Sequence, residues 1–219
     1  MLHIIYPQDE TTQFLVRIPE IIRSRFGPES IQLTKIYPDE KSHSSSIDFI
    51  ENLPDESIVL FMGHGEDDCL FGAEGPHFPR KKLIDRANIK IFGNKYLFCL
   101  SCYSSLFLKA TFRFSNIIHS VGFGSLPTEM SEVENDKRMI SQGVNIAVIK
   151  SYKNTLVELT AAAFCDMLDY RFPFYEISNY FLLRLNKKIS EVILNDKSDK
   201  EARILADLLF KMKSEMVII

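Results

Sequence analysis

The sequence has 219 residues, of which 46% are hydrophobic and 25% charged, and its formal net charge is −3. This composition is ordinary for a globular chain of one large domain, and it gives no electrostatic basis for binding nucleic acid. No apolar run reaches the roughly 18 residues that a membrane span requires, and the N-terminus lacks the basic segment of a signal peptide.

Short apolar runs alternate with amphipathic segments through the first part of the chain. Five of these runs have the apolar character of strands, at 2–6, 30–37, 57–62, 95–100 and 116–123. Helical spacing of apolar residues predicts helices at 12–25 and 45–52, and a proline near its start favours another at 79–87.

The remainder of the chain is predominantly helical, with predicted helices at 142–168, 177–194 and 200–213 and polar loops at 41–46 and 195–200. Strands that alternate with helices imply a mostly parallel sheet and right-handed crossovers. We therefore predict an α/β fold, a three-layer α/β/α sandwich with extra C-terminal helices. It forms one domain over 1–219, with the sheet within about 1–150 and a helical part over about 151–219.

Two predicted strands end in chemically capable residues. The apolar run at 58–62 stops at Gly63-His64-Gly65, and the run at 95–100 is followed by Ser101-Cys102. Ligands gather outside the carboxyl ends of parallel strands. A helix start at 103–105 would lower the pKa of a thiol there, and a neighbouring histidine would move its proton. The N–H groups of Gly65 and Cys102 would then form an oxyanion hole.

These motifs resemble the caspase-like cysteine peptidases, which include caspases, metacaspases and gingipain-type enzymes. The stretch HGEDDCLFGAEGP is similar to the segment around the caspase catalytic histidine, and SCYS at 101–104 is similar to the metacaspase Ser-Cys-His-Ser. A weaker similarity links GSLPTE at 124–129 to the caspase Ser-Thr-Val-Pro segment. The resemblance implies that Cys102 is the nucleophile, His64 the general base and acid, and Gly65 an oxyanion donor.

The substrate pocket departs from the family pattern. Caspases have glutamine two positions before the cysteine and arginine directly after it, and metacaspases have aspartate at the first of these positions; this chain has Leu100 and Tyr103. The resemblance implies substrate contacts for Leu100, Ser125 and Glu129, but no preference for the residue before the cleaved bond follows. The charged segment 129–138 stands where family members carry a mobile or processed loop, and we expect a regulatory loop there.

Several alternatives remain open. Many members of the resembled group work with a Cys–His dyad, but an acid from the loop at 66–68 could orient His64. The spacing of Cys99 and Cys102 allows a redox or zinc reading, although residues three apart on a strand face opposite sides. A nucleotide-binding α/β fold is disfavoured because no glycine-rich phosphate motif occurs. Other Cys–His hydrolases place the cysteine before the histidine, the reverse of the order seen here.

The sequence therefore leads us to expect a cysteine endopeptidase with a Cys–His dyad that forms a thioester acyl-enzyme. We expect a protein or peptide substrate, no cofactor, no metal, no nucleic acid and no membrane. Control by a protein partner, a small-molecule activator or self-association is expected. Four cysteines are too few for a disulfide scaffold, so we expect a cytoplasmic location. The alternative is a catalytically inactive caspase-like interaction module.

Overall fold

The computed structural model describes residues 1–195 and 199–219, with only the backbone of Asn195. Of the polar loop predicted at 195–200, residues 196–198 lie outside the described residues, whereas Asn195 and Lys200 are helical. The chain divides into two compact units. The first comprises Met1–Gly124 with Met216–Ile219, and the second is Ser125–Glu215. The sheet part was expected to extend to about residue 150, whereas the first unit ends at Gly124.

The first unit contains all the strands of the described residues. In chain order they are β1 (Leu2–Pro7), β2 (Ile31–Ile36), β3 (Ile58–Met62), β4 (Cys69–Phe71), β5 (Lys82–Asp85), β6 (Tyr96–Leu100), β7 (His119–Gly122) and β8 (Val217–Ile218). Six of them form one sheet in the order β2-β1-β3-β6-β7-β8, while β4 and β5 form a separate antiparallel hairpin. The five predicted strands are thus confirmed, and β4, β5 and the short edge strand β8 are additions.

The sheet is parallel except for β8, which runs antiparallel to β7. Every residue of β1 is buried, as are the last four residues of β3 and of β6. Burial of successive residues means that both faces of these strands are covered, which explains their continuous apolar character.

The described helices are α1 (Arg17–Phe26), α2 (Glu40–Glu51), α3 (Ser104–Ser115), α4 (Met130–Glu134), α5 (Lys137–Gln142), α6 (Ile146–Tyr170), α7 (Ile177–Asn195) and α8 (Lys200–Glu215). Together with the sheet they confirm the predicted α/β class and are compatible with a three-layer α/β/α sandwich carrying extra C-terminal helices. The helix predicted at 12–25 is divided, because a 3-10 turn at Gln13–Val16 precedes α1. The polar segment at 41–46 lies within α2 instead of a loop.

The helix predicted at 79–87 is wrong. This segment contains β5, which pairs Ile84 with Leu70 of β4. The side chain of Asn88 accepts a hydrogen bond from the Asp85 N–H, and the Asp85 carboxylate accepts one from the Ala87 N–H. These two hydrogen bonds form a turn that ends β5 at Asp85, whereas the predicted helix would have continued to residue 87.

One continuous core cluster covers a face of the sheet in the first unit. Strand residues such as Ile5, Phe61 and Leu97 pack there with Ile50 of α2 and Phe107 of α3, and the hairpin contributes Leu70, Leu83 and Ile84. The hairpin is therefore part of the core and not a surface loop. Its burial fixes the segment that directly follows β3.

The second unit is helical, and α6 is its longest element. Inside it, Arg184 of α7 makes a bidentate ion pair with Asp166 of α6, at 2.6 and 2.7 Å. The segment 129–138, expected to be a regulatory loop, contributes α4 and the start of α5. No helix among the described residues is long and apolar enough to span a membrane.

Candidate active site

The parallel register of β3 and β6 brings the ends of these strands side by side. Met62 pairs with Leu100, and the Gly63 N–H donates to the Leu100 carbonyl at 3.1 Å. His64 and Cys102 each follow two residues beyond the paired Met62 and Leu100. Neighbouring strands lie about 4.8 Å apart. The two predicted reactive residues therefore leave adjacent strands at the same edge of the sheet.

A second contact joins these strand ends at Gly65. A Cβ atom placed on Gly65 would lie 2.2 Å from the Ser101 hydroxyl oxygen and 2.8 Å from the Cys102 carbonyl oxygen. These distances are well inside van der Waals contact, so only glycine allows the loop after β3 to approach the loop after β6 this closely. The glycine thus brings the backbone next to His64 against the backbone of the predicted nucleophile.

The Gly65 amide is positioned by the hairpin that follows it. Gly65 forms an antiparallel bridge with Leu70, and its hydrogen bonds are made by the flanking residues: Phe71 N–H to His64 at 3.0 Å and Glu66 N–H to Cys69 at 2.9 Å. In this kind of pair the N–H of the central residue points away from the partner strand. The Gly65 N–H is therefore outside the hairpin's own hydrogen bonds, as an oxyanion donor requires.

Cys102 occupies a tight turn between β6 and α3. Tyr103, directly after it, has a φ of 54°, in the left-handed region that most non-glycine residues avoid. This conformation costs about 1 kcal/mol or more, and it turns the chain sharply from the strand into the helix. Cys102 itself is half-buried, whereas Cys69, Cys99 and Cys165 are buried, and all four are thiols.

The start of α3 is less available to a thiolate than the sequence suggested. The Tyr103 N–H donates to Gly124 and the Ser105 N–H to Phe123, both at 2.8 Å, so these amides are already occupied. The helix begins at Ser104, whose hydroxyl donates within the turn to the Cys99 and Ser101 carbonyls and accepts from the Phe123 N–H. The helix start thus holds the turn after β6 firmly, while its dipole still favours negative charge nearby.

His64 makes its polar contacts with the end of β1, on the other side of β3. Its Nε2 lies 2.7 Å from the Thr11 hydroxyl and 3.5 Å from Asp9 Oδ1. The same Asp9 oxygen accepts hydrogen bonds from the Thr11 hydroxyl at 2.8 Å and from the Thr12 N–H at 3.0 Å. The side chains that follow β1 and β3 therefore meet at the edge of the sheet where the backbone at Gly65 also approaches the turn after β6.

Asp9 is ionised at neutral pH. Burial, the largest single influence, would raise the pKa of Asp9, but it is outweighed by the nearby His64 and by hydrogen bonds from Thr11 and Thr12. The resulting pKa is about 2. The Asp9 side chain is 2% exposed and the His64 side chain 15%, so the pair is largely shielded from water.

Within the acidic loop after His64, the side chain of Asp68 pairs with the hairpin. Asp68 forms an ion pair with Lys82 of β5, and this hydrogen bond is the main cause that lowers the pKa of Asp68. Glu66, Asp68 and Cys69 place one ligand atom each within 4.8 Å of one another, the set among the described residues that could hold a cation. Burial and the Asp68 hydrogen bond raise the pKa of Cys69 to about 12, so its thiol stays protonated and is a poor ligand at neutral pH.

Cys99, the other half of the CxxC spacing, is a core residue. Burial raises its pKa to about 12, although a hydrogen bond with Ser104 partly opposes this. Its side chain belongs to the cluster on one face of the sheet. A thiol of this kind neither ligates metal nor exchanges with a disulfide readily at neutral pH, which disfavours the redox and zinc readings of this spacing.

The predicted substrate-binding residues have varied surroundings. Leu100 is 1% exposed inside β6. Ser125 and Glu129 belong to the second unit, where the Ser125 N–H donates to Glu215 at 2.9 Å and the Glu129 carboxylate accepts from Lys153 at 2.7 Å. The structure joins His64, Gly65 and Cys102 at adjacent strand ends, whereas substrate contacts by Leu100, Ser125 and Glu129 stay predictions.

Asp9 and Thr11 are not among the site residues predicted from the sequence. Their signal was the polar run QDETT at 8–12, directly after the first apolar strand and at the same type of strand end as His64 and Cys102. The sequence offers the loop at 66–68 as the source of a histidine-orienting acid, because this loop directly follows His64. The parallel pairing of β1 with β3 instead brings the end of β1 to His64.

Comparison with known proteins gives no independent identification of this arrangement. No family model matches the sequence, and no curated protein is similar to it.

Proposed function

We propose that this protein is a cysteine endopeptidase of the caspase-like type, in which Cys102 is the nucleophile and His64 the general base and acid. The observation that carries the proposal is the placement of these two residues on adjacent parallel strand ends, two positions beyond the paired Met62 and Leu100. A nucleophile and its base from neighbouring strands are what acyl transfer requires.

In the first step, His64 removes the proton from the Cys102 thiol, and the sulfur attacks the carbonyl carbon of a peptide bond. Negative charge develops on the carbonyl oxygen, where the N–H groups of Gly65 and Cys102 stabilise it. The C–N bond then breaks, His64 gives its proton to the leaving amine, and a thioester to Cys102 remains.

In the second step, water replaces the amine. His64 takes a proton from the water, its oxygen attacks the thioester carbon, and the C–S bond breaks. The Cys102 sulfur recovers a proton from His64, and the carboxylic acid product leaves. Each step uses the same proton acceptor, and no cofactor is needed.

The environments of the other cysteines support the assignment of Cys102. Cys69 and Cys99 are buried and their pKa values are raised to about 12, so neither supplies a thiolate at neutral pH. Cys102 is the half-buried one. A cytoplasmic location is part of the proposal, because four thiols suit a reducing compartment. We also propose that a partner, a small ligand or self-association regulates the site.

The direct test is an unbiased digest of a denatured proteome, with the new N-termini identified by mass spectrometry. Wild-type protein should produce a recurrent cleavage motif that is absent with Cys102→Ala and with His64→Ala. His77→Ala, which changes an exposed histidine of the hairpin, should behave as wild type. A wild-type profile equal to that of Cys102→Ala would favour the catalytically inactive interaction module.

A further inference from the structure

The hydroxyl of Thr11 lies between the carboxylate of Asp9 and the ring of His64. It is 2.8 Å from Asp9 Oδ1 and 2.7 Å from His64 Nε2, whereas the direct Nε2–Oδ1 distance is 3.5 Å. Hydrogen bonds from ring nitrogens to oxygen are usually about 2.9–3.0 Å long. The Asp9 carboxylate is therefore linked to the His64 imidazole mainly by the bridging Thr11 hydroxyl, and the direct contact between them is weak.

The donor and the acceptor in each hydrogen bond between Asp9, Thr11 and His64 follow from the ionised state of Asp9. A carboxylate can only accept hydrogen bonds, so the single hydroxyl hydrogen of Thr11 is donated to Asp9 Oδ1. The Thr11 oxygen must then accept the short hydrogen bond from His64, and the hydrogen in that bond belongs to Nε2. In the neutral ring, the other nitrogen, Nδ1, consequently has no proton.

The same contacts orient the ring. Both polar contacts of the His64 ring with the side chains of described residues are made by Nε2, on the β1 side. Nδ1 is the nitrogen left to exchange a proton, and it is in the basic form that accepts one. Asp9 is itself fixed, because its Oδ1 also accepts from the Thr12 N–H, and Thr12 is buried. Asp9 therefore fixes one end of the relay, by which we mean the hydrogen-bonded series Asp9–Thr11–His64.

We propose that Thr11 is a positioning residue that, with Asp9, holds His64 in the tautomer with the proton on Nε2 and presents Nδ1 as the base. Its role resembles in chemical logic that of a third triad member, with a hydroxyl inserted between acid and imidazole. This inference rests on the proposed function for its catalytic meaning, but the tautomer itself is a property of the resting protein.

The test therefore reads the histidine directly. Protein labelled with ¹⁵N-histidine is observed by long-range ¹H–¹⁵N NMR at neutral pH, and the His64 signals are assigned by comparison with His64→Gln. We expect wild type and Thr11→Ser to show a protonated Nε2 and an unprotonated Nδ1. Thr11→Val, which keeps the shape but removes the hydroxyl, should show a mixture of tautomers. Circular dichroism verifies that each variant is folded.

A kinetic readout on the substrate found in the proteome digest completes the test. Thr11→Val should lower kcat about 10- to 100-fold with little change in KM, and Thr11→Ser should restore most of the loss. A wild-type His64 protonated on Nδ1, or an unchanged tautomer in Thr11→Val, would overturn the relay. A lack of peptidase activity beside the expected NMR spectra would instead reject the proposed function while supporting the relay.

Discussion

Gly65 lies so close to Ser101 that a methyl group on its Cα would be 2.2 Å from the Ser101 hydroxyl oxygen. This close approach joins the loop of the predicted base to the turn of the predicted nucleophile. The Ser101 side chain is buried. The geometry of the candidate site thus depends on the absence of a side chain at position 65.

Gly65→Ala should separate the two loops and disturb the site. The Ser101 hydroxyl and the Cys102 carbonyl would both have to move, and displacements near 1 Å can lower activity by about 100-fold. We expect peptidase activity to fall by about that factor while circular dichroism is retained. Gly75→Ala is the matched control, because its closest atom, Pro38 Cγ, is 3.1 Å away and belongs to a side chain. Equal activities of the two variants would contradict the interpretation.

Asp9 should make the stability of the protein sensitive to acid. Its pKa is lowered in the folded state to about 2 from an ordinary value of 3.8. Its contribution is therefore fully present above about pH 4 and is lost as the pH falls toward 2. The shift corresponds to about 2 kcal/mol. Urea unfolding between pH 6 and pH 2.5 should show this loss in wild type and a smaller loss in Asp9→Asn.

A matched control for the acid titration is Asp136→Asn, at a partly exposed position in the second unit. The Asp136 side chain is 25% exposed, and hydrogen bonds from Arg138 lower its pKa. Because Arg138 is largely exposed and water screens this pair, Asp136→Asn should alter the acid-dependent loss much less than Asp9→Asn. If Asp9→Asn loses as much stability as wild type over the same range, Asp9 does not carry the predicted charge interaction.

The four cysteines should differ strongly in their rate of alkylation. Burial holds the pKa of Cys69 and of Cys99 near 12, and Cys165 is buried in α6. Limited iodoacetamide treatment of the native protein, followed by peptide mass spectrometry, should modify Cys102 at least 10-fold faster than the others. Faster alkylation of Cys69 or Cys99 than of Cys102 would show that burial does not protect these two thiols.

The ion pair between Asp166 and Arg184 should stabilise the helical unit. Asp166 is buried, so replacing Arg184 by methionine leaves a carboxylate without its bidentate partner. Because the Arg184 side chain is 42% exposed, water will screen part of the effect, and we expect a loss of about 1–3 kcal/mol in the free energy of unfolding. Lys187→Met, which removes a weak exposed ion pair at 3.8 Å, should be nearly neutral.

The strands were predictable because burial on both faces leaves continuous apolar runs, as at IVLFM in β3. Only the start of helix α3 was predicted, at 103–105, because its buried face includes Ser104, Thr111 and Ser115 while Leu106, Phe112 and Phe114 are exposed. The hydrophobic pattern of that segment therefore does not mark its core face. The strand β5 escaped prediction for a different reason, since its pairing with β4 is a tertiary contact.

The candidate site likewise combines residues that the sequence indicates with residues that only the fold brings together. His64 and Cys102 end their strands and carry recognisable motifs, so the sequence alone indicated them. Thr11 is 53 positions from His64, and only the parallel pairing of β1 with β3 brings the two together. Proximity in sequence favoured the acids at 66–68, one of which the hairpin uses to pair with Lys82.

The dependence of Cys102 reactivity on His64 tests most directly whether these two residues act as a nucleophile and its base, because the measurement requires no knowledge of the substrate. The rate of Cys102 alkylation by iodoacetamide at pH 7 should fall about 10-fold or more in His64→Ala, since the thiol loses the base that takes its proton. His77→Ala should leave the rate unchanged. Equal rates in wild type and His64→Ala would show that the two residues do not act as a pair.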